Sequence, residues 1–418
     1  MKSCKYIQTA IYFAPDELRV CCQRFHVDGV LKGDVSLTDV KALDFVDSAT
    51  ILSLKQKLLT GINAGTDKRC DGCQYLVDQD WSPLGSQKID LISIEDHSLC
   101  NMKCDYCSPT YYGGVPPQYE IDWLELASSI SHDCYFAWGG GEPTIRRDFD
   151  SLFDHLATKI SKHSYHKIFT NCLTFSPSLE KYLSEGRVQI ITSVDAGDEE
   201  TFRKVRGAPG IQKVFRNLKR YNEVNPNGIT IKYILTSENS DISNLEKFTK
   251  LIIENGLSNC PILISTDFKK ELVSIKEINI AVEFYNVLKK AKIGKIIYDD
   301  HFVKRSPRDR IIISSESQVQ NINPGAGFAI CGTGYHSDLL TSRIKSRFPS
   351  AHLLYVETNA NKINDPKRKI ITYEELSESF SDVNILIGST TFANEILNRL
   401  ESHNIDFDRI ISELVFLK

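Results

Sequence analysis

Short apolar runs recur along the chain, and longer stretches with a helical pattern of apolar and polar positions separate them. Six such runs lie near residues 90–95, 134–138, 166–170, 189–195, 229–236 and 261–267. Strands that alternate with helices at intervals of roughly 20 to 40 residues are typical of a parallel sheet with right-handed crossovers. The pattern predicts an α/β fold, and six units rather than eight predict a partial (β/α)6 TIM-like barrel.

The pattern changes after about residue 302. The segment VKRSPRDRIIISSESQVQNINPG is polar and is predicted to be a linker. Beyond it, FAICGTGYHSDLLTSRIKSRFPSAHLLYVETN predicts a strand, a glycine turn, a helix and a second strand, and NILIGSTTFANEILNRLESHNIDFDRIIS repeats the alternation. The expected division is a small cysteine-rich metal-binding module over 1–88, a core over 89–302, a linker over 303–322 and a Rossmann-like α/β domain over 323–418.

The composition and charge of the chain limit the classes of partner that we expect it to bind. The chain has 418 residues, a formal net charge of -4 and 12 cysteines, so no dominant basic surface for nucleic acid is expected. No run approaches the ~18 apolar residues of a membrane span, and MKSCKYIQTAIYFAPDELRV has no apolar run typical of a signal peptide. We therefore expect a cytoplasmic protein, in which clustered cysteines act as metal ligands or catalytic thiols rather than as disulfides.

Three thiols stand close together in CNMKCDYC, where Cys100, Cys104 and Cys107 have the spacing C-x3-C-x2-C. They follow the apolar stretch IDLISIEDHSL. Three thiolates can hold three corners of a [4Fe-4S] cube, although clusters held by protein alone normally take four. The open iron then offers a coordination position to a substrate or cofactor, as on a catalytic metal.

The same segment resembles the signature of the radical S-adenosylmethionine (SAM) enzymes, C-x3-C-x-aromatic-C, with Tyr106 at the aromatic position. YFAWGGGEPT resembles the family's GGE motif, and HKIFTNC and QIITSVDAGDEETFRKVRG resemble its third and fourth strands. The motifs occur in the family's order and cover roughly residues 90–300. The resemblance implies reductive cleavage of SAM to a 5'-deoxyadenosyl radical, which abstracts a hydrogen atom from a substrate.

The resemblance also implies a set of SAM contacts. The glycine run lets backbone approach a ligand closely, and its polar groups are expected to be free for the SAM amino group. Ser193, Asp195 and Asn171 are expected at the ribose or the methionyl end, and Arg206 at the SAM carboxylate. An electron donor such as flavodoxin or ferredoxin is an expected partner, and no catalytic residue toward the substrate is assigned. The implied SAM-binding residues are Tyr106, Gly140, Gly141, Glu142, Asn171, Ser193, Asp195 and Arg206.

The N-terminal segment resembles the auxiliary iron–sulfur modules of the same superfamily, of the SPASM or twitch type. Those modules commonly follow the barrel, whereas this segment precedes it. The resemblance implies a second [4Fe-4S] cluster, and a structural zinc ion bound by the same thiolates is the alternative. Cys22 is favoured over its neighbour Cys21, and the choice stays open. The expected ligands are Cys4, Cys22, Cys70 and Cys73.

Near the C-terminus, Gly332 and Gly334 open a helix whose N-terminus suits a phosphate. Glu357 follows at close to the ~20 residues expected for a ribose-binding acid, but Ser337 takes the place of the third glycine. The sequence leaves two interpretations of this turn open: a nucleotide-binding site, or a strand–helix turn with a structural role only. The G-x-G-x-H-S turn also resembles modules of enzymes that build surface polysaccharides and nucleotide-sugar derivatives.

Three functions remain at this stage. The first is a radical SAM enzyme that acts on a carbohydrate or nucleotide-sugar in surface polysaccharide or natural-product biosynthesis. The second is a radical SAM maturase of a ribosomally made peptide. The third is a non-catalytic, metal-stabilised binding protein, which would leave the order of the cysteine, GGE and SVD motifs without an explanation.

Overall fold

The structure, a computed structural model, describes residues 1–27, 30–39, 45–108, 113–267, 269–270, 272–299, 302, 327–358, 366, 368–389 and 392–411. The chain forms two compact units. The first comprises Met1–Lys103 and Cys107–Ile191, and the second Cys104–Tyr106 and Thr192–Lys418. The expected linker over 303–322 lies outside the described residues, and the division into four segments stays a prediction.

The first unit begins with the cysteine-rich segment and continues into β-α repeats. Its strands are β1 (Lys2–Ser3), β2 (Ala10–Phe13), β3 (Glu17–Arg19), β4 (Arg24–Val27), β5 (Val30–Gly33), β6 (Ser36–Asp39), β7 (Phe45–Val46), β8 (Val77–Asp78), β9 (Ile89–Ile94), β10 (Glu120–Ile121), β11 (Ile130–Trp138), β12 (Tyr165–Phe169) and β13 (Val188–Ser193). Its helices are α1 (Lys5–Thr9), α2 (Ser48–Asn63), α3 (Trp123–Leu126), α4 (Phe149–His155) and α5 (Pro177–Ser184). The division of the chain falls inside β13.

The main sheet of this unit has the order β13-β12-β11-β9-β2-β3-β6. Strands β2, β9, β11, β12 and β13 are parallel, and β3 and β6 add antiparallel strands at one edge. Four of the predicted runs are therefore confirmed as parallel strands. The pairing of β2 with β9, in register at Ala10 and Leu91, is new: it joins the cysteine-rich segment to the main sheet.

The second unit repeats the alternation of strands and helices. Its strands are β14 (Ile229–Leu235), β15 (Ile262–Thr266), β16 (Ile296–Tyr298), β17 (Phe328–Cys331), β18 (Leu353–Val356), β19 (Ile370–Ile371) and β20 (Asn384–Ile387). Its helices are α6 (Glu199–Arg206), α7 (Ile211–Val224), α8 (Ile242–Glu254), α9 (Ile275–Lys290), α10 (Tyr335–Arg347), α11 (Tyr373–Ser379) and α12 (Ala393–Ser402).

Within this unit, β14, β15 and β16 pair in parallel in that order. A separate parallel sheet has the order β19-β18-β17-β20. The predicted strand–turn–helix–strand unit is present as β17, α10 and β18. The prediction of an α/β fold with parallel strands is confirmed, and β16 is a parallel strand beyond the six predicted runs.

Local signals explain where many helices begin. The side chain of Asp47 accepts a hydrogen bond from the Thr50 N–H at the start of α2, and Ser274 and Glu277 form a capping box on α9. Such caps satisfy N–H groups that the first helical turn leaves without partners. In the part of the chain that the structure describes, no helix is both long enough and apolar enough to cross a membrane.

Candidate functional site

A glycine turn follows β11 in the first unit. A Cβ atom on Gly140, whose φ is +81°, would lie 2.8 Å from the carbonyl oxygen of His97, and one on Gly141 would lie 2.0 Å from that of Leu99. The N–H of Gly141 donates to the His97 carbonyl at 2.9 Å, and the N–H of Glu142 to the Leu99 carbonyl at 2.7 Å. Two of the turn's N–H groups are therefore engaged, whereas the SAM amino group would need its carbonyl groups, so the expected contact with SAM stays a prediction. The glycines allow the turn to pack against the segment that leads into Cys100.

Glu142 is 1% exposed, and its carboxylate connects this turn to the end of β12. Oε1 accepts hydrogen bonds from Thr144 N (3.1 Å), Thr144 Oγ1 (2.6 Å) and Thr170 Oγ1 (2.7 Å), and Oε2 accepts one from Asn171 N (2.6 Å). Burial raises the pKa of Glu142, and these donors oppose the rise. The carboxylate thus fixes two loops relative to each other, and its contact with SAM stays a prediction.

Asn171 lies beside the first cysteine of the triad. Its Nδ2 donates to Oδ1 of Asn101 at 2.6 Å and lies 4.0 Å from Sγ of Cys100. Its Oδ1 accepts from the N–H of Leu173 at 2.9 Å, which fixes the orientation of the amide. Asn171 therefore positions the loop that carries Cys100.

In the second unit, Tyr106, Asp195 and Arg206 form a buried network. The Tyr106 hydroxyl donates to Oδ2 of Asp195 at 2.5 Å, and Nη1 of Arg206 donates to the same oxygen at 2.9 Å and to the Tyr106 hydroxyl. Oδ1 of Asp195 accepts the N–H of Ile234 at 2.7 Å. Both carboxylate oxygens are committed to protein groups. These contacts anchor the loop that carries Cys104, and the predicted roles of Asp195 and Arg206 toward SAM stay untested.

Further contacts hold the same loop. The N–H of Asp105 donates to the Val205 carbonyl at 3.0 Å, and Nζ of Lys269 donates to the Asp105 carbonyl at 2.7 Å. Cys104 packs against Tyr106, Val205 and Ile234. Burial raises the pKa of the Cys104 thiol, and the charge of Arg206 opposes the rise.

Ser193 and the three cysteines of the triad are the remaining residues of the predicted site. Ser193 ends β13 and belongs to the second unit. Cys100 is exposed, whereas Cys104 and Cys107 are partly buried. Cys100 and Cys107 belong to the first unit and Cys104 to the second.

The N-terminal thiols fall into two environments. Cys4 and Cys70 are buried in one apolar cluster together with Cys21. Cys73 lies in the same turn as Cys70, and its N–H donates to the Cys70 carbonyl at 3.1 Å. Cys22 is not part of that cluster. Among the residues that the structure describes, no three His, Cys, Asp or Glu side chains are arranged so that they could hold a metal ion.

The C-terminal glycine turn and Glu357 come together at the end of β17. Oγ1 of Thr333, between the two glycines, donates to Oε1 of Glu357 at 2.8 Å. Gly332 has a φ of +108°, which favours glycine. Ser337, in the place of the third glycine, donates from Oγ to the carbonyls of Gly332 at 2.5 Å and Gly388 at 3.2 Å. The chain therefore replaces the third glycine by a hydroxyl that bridges two strand ends.

Two features near these sites were not predicted from sequence. Arg368 donates from Nη1 to the Thr333 carbonyl at 3.0 Å and pairs with Asp338, so a guanidinium lies beside the glycine turn. An open cavity of about 880 Å³ lies along α2. Its basic side chains are Lys32, Lys57, Lys68 and Arg69. No local motif marks either feature, because the residues come from separate parts of the chain.

Residues 94–252 match the model of the Radical SAM superfamily. This range contains the cysteine triad, the glycine turn after β11, Asn171 and the buried network at Asp195. The chain therefore contains a radical SAM domain, as the motifs predicted, and the family implies a [4Fe-4S] cluster and SAM. Cys100, Cys104 and Cys107 form no disulfide and are of the ligand type that holds iron–sulfur clusters, and their role as the ligands stays a prediction.

Curated relatives include two GTP 3',8-cyclases. The protein from Clostridium botulinum (strain Okra / Type B1) is 24% identical over 172 residues, which are 38% of this chain and 54% of the relative. The protein from Haemophilus influenzae (strain 86-028NP) is 28% identical over 158 residues, which are 36% of this chain and 45% of the relative. The chain thus spans about half the length of the curated relatives it matches.

Similar solved structures include native anSMEcpe with bound AdoMet and the Cp18Cys peptide, at 21% identity and a TM-score of 0.38, covering 50% of this chain and 62% of that one. SuiB of Streptococcus suis bound to S-adenosylmethionine is 16% identical with a TM-score of 0.37, covering 66% of both chains.

Proposed function

We propose that the protein is a radical SAM enzyme that acts on a carbohydrate carried by a nucleotide. The radical SAM part rests on the family match over residues 94–252 and on the thiols at the family's spacing. The substrate part rests on one observation, the position of the glycine turn in the C-terminal sheet.

A [4Fe-4S] cluster and SAM, when bound, supply a 5'-deoxyadenosyl radical that removes a hydrogen atom from a substrate. Cys100, Cys104 and Cys107 are the residues that would hold the cluster. The chain's own contribution is positioning. Asn171 orients the Cys100 loop from one side, and the Tyr106–Asp195–Arg206 network holds the segment around Cys104.

The C-terminal turn lies where α/β sheets commonly bind ligands. In the order β19-β18-β17-β20, the chain proceeds from β17 to one side through β18 and β19 and reaches the other side with β20. Ligands of open parallel sheets bind at such a switch point, outside the carboxyl ends of the strands. Gly332 follows β17 and Gly388 follows β20, and a Cβ on Gly332 would lie 3.6 Å from Gly388.

The side chains at this point suit a nucleotide. The N-terminus of α10 offers N–H groups and a positive dipole end to a phosphate, and Arg368 adds a guanidinium nearby. The Glu357 carboxylate, held by Thr333, can accept hydrogen bonds from ribose hydroxyls. The related proteins are named GTP 3',8-cyclases, which supports a nucleotide-bearing substrate.

The radical chemistry is tested by anaerobic reconstitution with iron and sulfide, followed by an assay of 5'-deoxyadenosine from SAM with dithionite. We expect Cys104→Ala to abolish 5'-deoxyadenosine formation. Cys260→Ala, which changes a buried thiol outside the motif, should leave it intact. Equal activity in both variants would contradict the proposed mechanism.

The substrate class is tested separately by calorimetric titration of nucleotide-sugars, nucleoside diphosphates and short peptides into the same protein. We expect nucleotide-sugars to bind and Glu357→Gln to weaken them at least tenfold. Glu378→Gln, at an exposed position of α11, should bind them like the unmodified chain. Binding of peptides alone would overturn the substrate part and leave the radical SAM part standing.

A further inference from the structure

We propose that Lys232 and Asp299 bind hydroxyl groups of the carbohydrate part of the substrate, with the lysine as donor and the aspartate as acceptor. This inference rests on the proposed function and deepens it, because it assigns residues that recognise the sugar rather than the nucleotide. Both residues lie in the second unit.

The two faces of the β14, β15 and β16 strands have different surroundings. Tyr233 of β14 faces the helices, since its ring centroid lies 4.9 Å from that of Phe248 in α8 and 4.9 Å from that of Phe284 in α9. Successive side chains of a strand point to opposite faces of the sheet. Lys232 and Ile234, which flank Tyr233, therefore point away from these helices.

On this face, Lys232 and Asp299 form an ion pair. Nζ of Lys232 donates to Oδ2 of Asp299 at 2.7 Å, and Oγ of Ser265 donates to the same oxygen at 2.9 Å. Lys232 belongs to β14, Ser265 belongs to β15, and Asp299 directly follows β16. Ser265 thus orients the carboxylate, and the three side chains form a polar cluster across three neighbouring strands.

The polar cluster lies near the segment that carries Cys104. Ile234, two residues after Lys232, packs with Tyr106 and Cys104. Burial raises the pKa of Asp195, and the N–H of Ile234 and the charge of Lys232 oppose the rise. A substrate held at Lys232 would therefore lie near a thiol of the predicted cluster site.

The C-terminal sheet packs on the same face. Lys232 pairs in register with Leu263, and Leu263 pairs with Ile297. Ile297 and Cys331 belong to one apolar core cluster, and Leu263 packs against it. Cys331 directly precedes Gly332 of the proposed nucleotide site. The sheet that carries that site is therefore joined to the face that carries Lys232.

Lys232 keeps access to solvent. Its side chain is 21% exposed and that of Asp299 is 11% exposed, whereas the other residues of β14 are buried. An ammonium group has three N–H donors, and of the residues that the structure describes, Asp299 supplies the one acceptor that Lys232 reaches. Lys295 is different, because it is 3% exposed and donates to both Asn227 and Glu401. Lys232 therefore retains donors that a ligand can use.

The charges of the pair favour a hydroxyl group over a phosphate. The ammonium of Lys232 and the carboxylate of Asp299 together carry no net charge, and the carboxylate would repel a phosphate. A hydroxyl group both donates and accepts hydrogen bonds. It can accept one from the ammonium and donate one to the carboxylate, and hydrogen bonds to charged groups are the stronger ones. Neighbouring hydroxyl groups of a sugar match this arrangement.

The test uses the full-length chain, reconstituted without oxygen and saturated with SAM, with no reductant present. UDP-glucose, GDP-mannose, UDP and GDP are titrated by calorimetry. We expect the unmodified chain to bind a nucleotide-sugar about tenfold or more tightly than its diphosphate, and Lys232→Met to bind the two equally. Lys276→Met, at an exposed position of α9, should keep the preference. A preference that persists in Lys232→Met would overturn the inference and leave the proposed function standing.

Analogues that each lack one sugar hydroxyl distinguish a direct contact from an indirect effect. In the unmodified chain, removal of the hydroxyl that meets Lys232 should weaken binding about tenfold or more. The same analogue should lose nothing in Lys232→Met, because the partner of that hydroxyl is already absent. Equal losses in the two chains for every analogue would overturn the contact.

A second variant controls for folding. Lys232→Met leaves a largely buried carboxylate without its counter-charge, whereas Lys232→Met combined with Asp299→Asn removes both charges. Circular dichroism identifies a variant that has lost its fold. The double variant should also lose the preference for the sugar, and a folded double variant that keeps it would show that the pair has a structural role only. No binding of either nucleotide-sugar by the unmodified chain would overturn the proposed substrate class together with this assignment.

Discussion

Arg206 donates from Nη1 to Oδ2 of Asp195 across 2.9 Å, and the two side chains are 7% and 0% exposed. Asp195 has a φ of +62°, which is uncommon outside glycine. Its carbonyl also accepts from Nδ2 of Asn239 at 2.9 Å. The surrounding contacts therefore hold Asp195 in a backbone conformation that residues other than glycine adopt only rarely.

The first prediction concerns this pair. Asp195→Ala leaves the guanidinium of Arg206 buried without its counter-charge, so the free energy of unfolding should fall by about 3–5 kcal/mol. Asp195→Ala combined with Arg206→Met should cost less than the sum of the single changes, because the two groups interact directly. Urea unfolding of all four chains measures the coupling. Additive losses would show that the pair is not coupled, and Glu200→Ala, which breaks an exposed pair on the same helix, should change little.

The second prediction concerns Glu142. Both carboxylate oxygens accept hydrogen bonds, so in Glu142→Gln the amide NH2 must face a donor such as the N–H of Asn171. One buried donor then loses its partner, at a cost of about 1–3 kcal/mol. Thermal unfolding should show the loss, and 5'-deoxyadenosine formation should fall with it. Glu223→Gln, at an exposed site on α7, is the matched control. Equal melting temperatures for the two variants would mean that the amide is accommodated.

These two networks show what sequence could and could not predict. The resemblance to the radical SAM motifs assigned Tyr106, Glu142, Asp195 and Arg206 to one predicted site. The contacts themselves could not be predicted, because Arg206 meets Asp195 and Thr170 meets Glu142 only through the packing of separate elements. A single sequence shows the periodicity of apolar positions and the spacing of nearby residues, but it does not show which distant segments are in contact.

Some strands and strand pairings also could not be predicted from the sequence. Six apolar runs were long enough to be predicted as strands. β16 has only three residues, between Lys295 and Asp299, which are too few to show a periodic pattern of apolar and polar positions. The parallel pairing of β2 with β9 is not predicted, because the clustered cysteines of the N-terminal segment favour a separate module. Cys21 and Cys22 could not be told apart from sequence, since adjacent thiols differ only in where their side chains point.

The third prediction contrasts two neighbouring glycines. Gly141→Ala places a Cβ 2.0 Å from the Leu99 carbonyl, so the backbone before Cys100 must move. At Gly139 the nearest atom to an added Cβ is 3.7 Å away, an ordinary contact, and its φ is not in the left-handed region. We expect Gly141→Ala to lower iron retention and SAM cleavage at least tenfold, and Gly139→Ala to retain both. Full activity of Gly141→Ala would show that the turn can move without affecting the triad.

The last prediction concerns the pH dependence of stability, through His166. The imidazole is fully buried, its Nδ1 accepts from Nε1 of Trp138 at 3.1 Å, and its Nε2 lies 2.8 Å from Oγ of Ser164. Burial lowers the pKa of His166 from 6.5 to about 3, so the folded chain keeps this ring neutral where the unfolded chain protonates it. Between these two pKa values the unfolded chain binds more protons, and the free energy of unfolding falls as the pH falls, by up to about 1.4 kcal/mol per pH unit.

His166→Asn tests the argument, because an amide oxygen can accept from Trp138 but does not titrate in this range. Urea unfolding at pH 7.5, 6.0 and 5.0, followed by tryptophan fluorescence, measures the slope. We expect the variant to lose stability at pH 7.5, where the packing of the ring is missing, and to show a smaller decline toward pH 5.0. His132→Asn, at an exposed histidine of β11, should keep the slope of the unmodified chain. An unchanged slope in His166→Asn would mean that other groups cause the acid sensitivity.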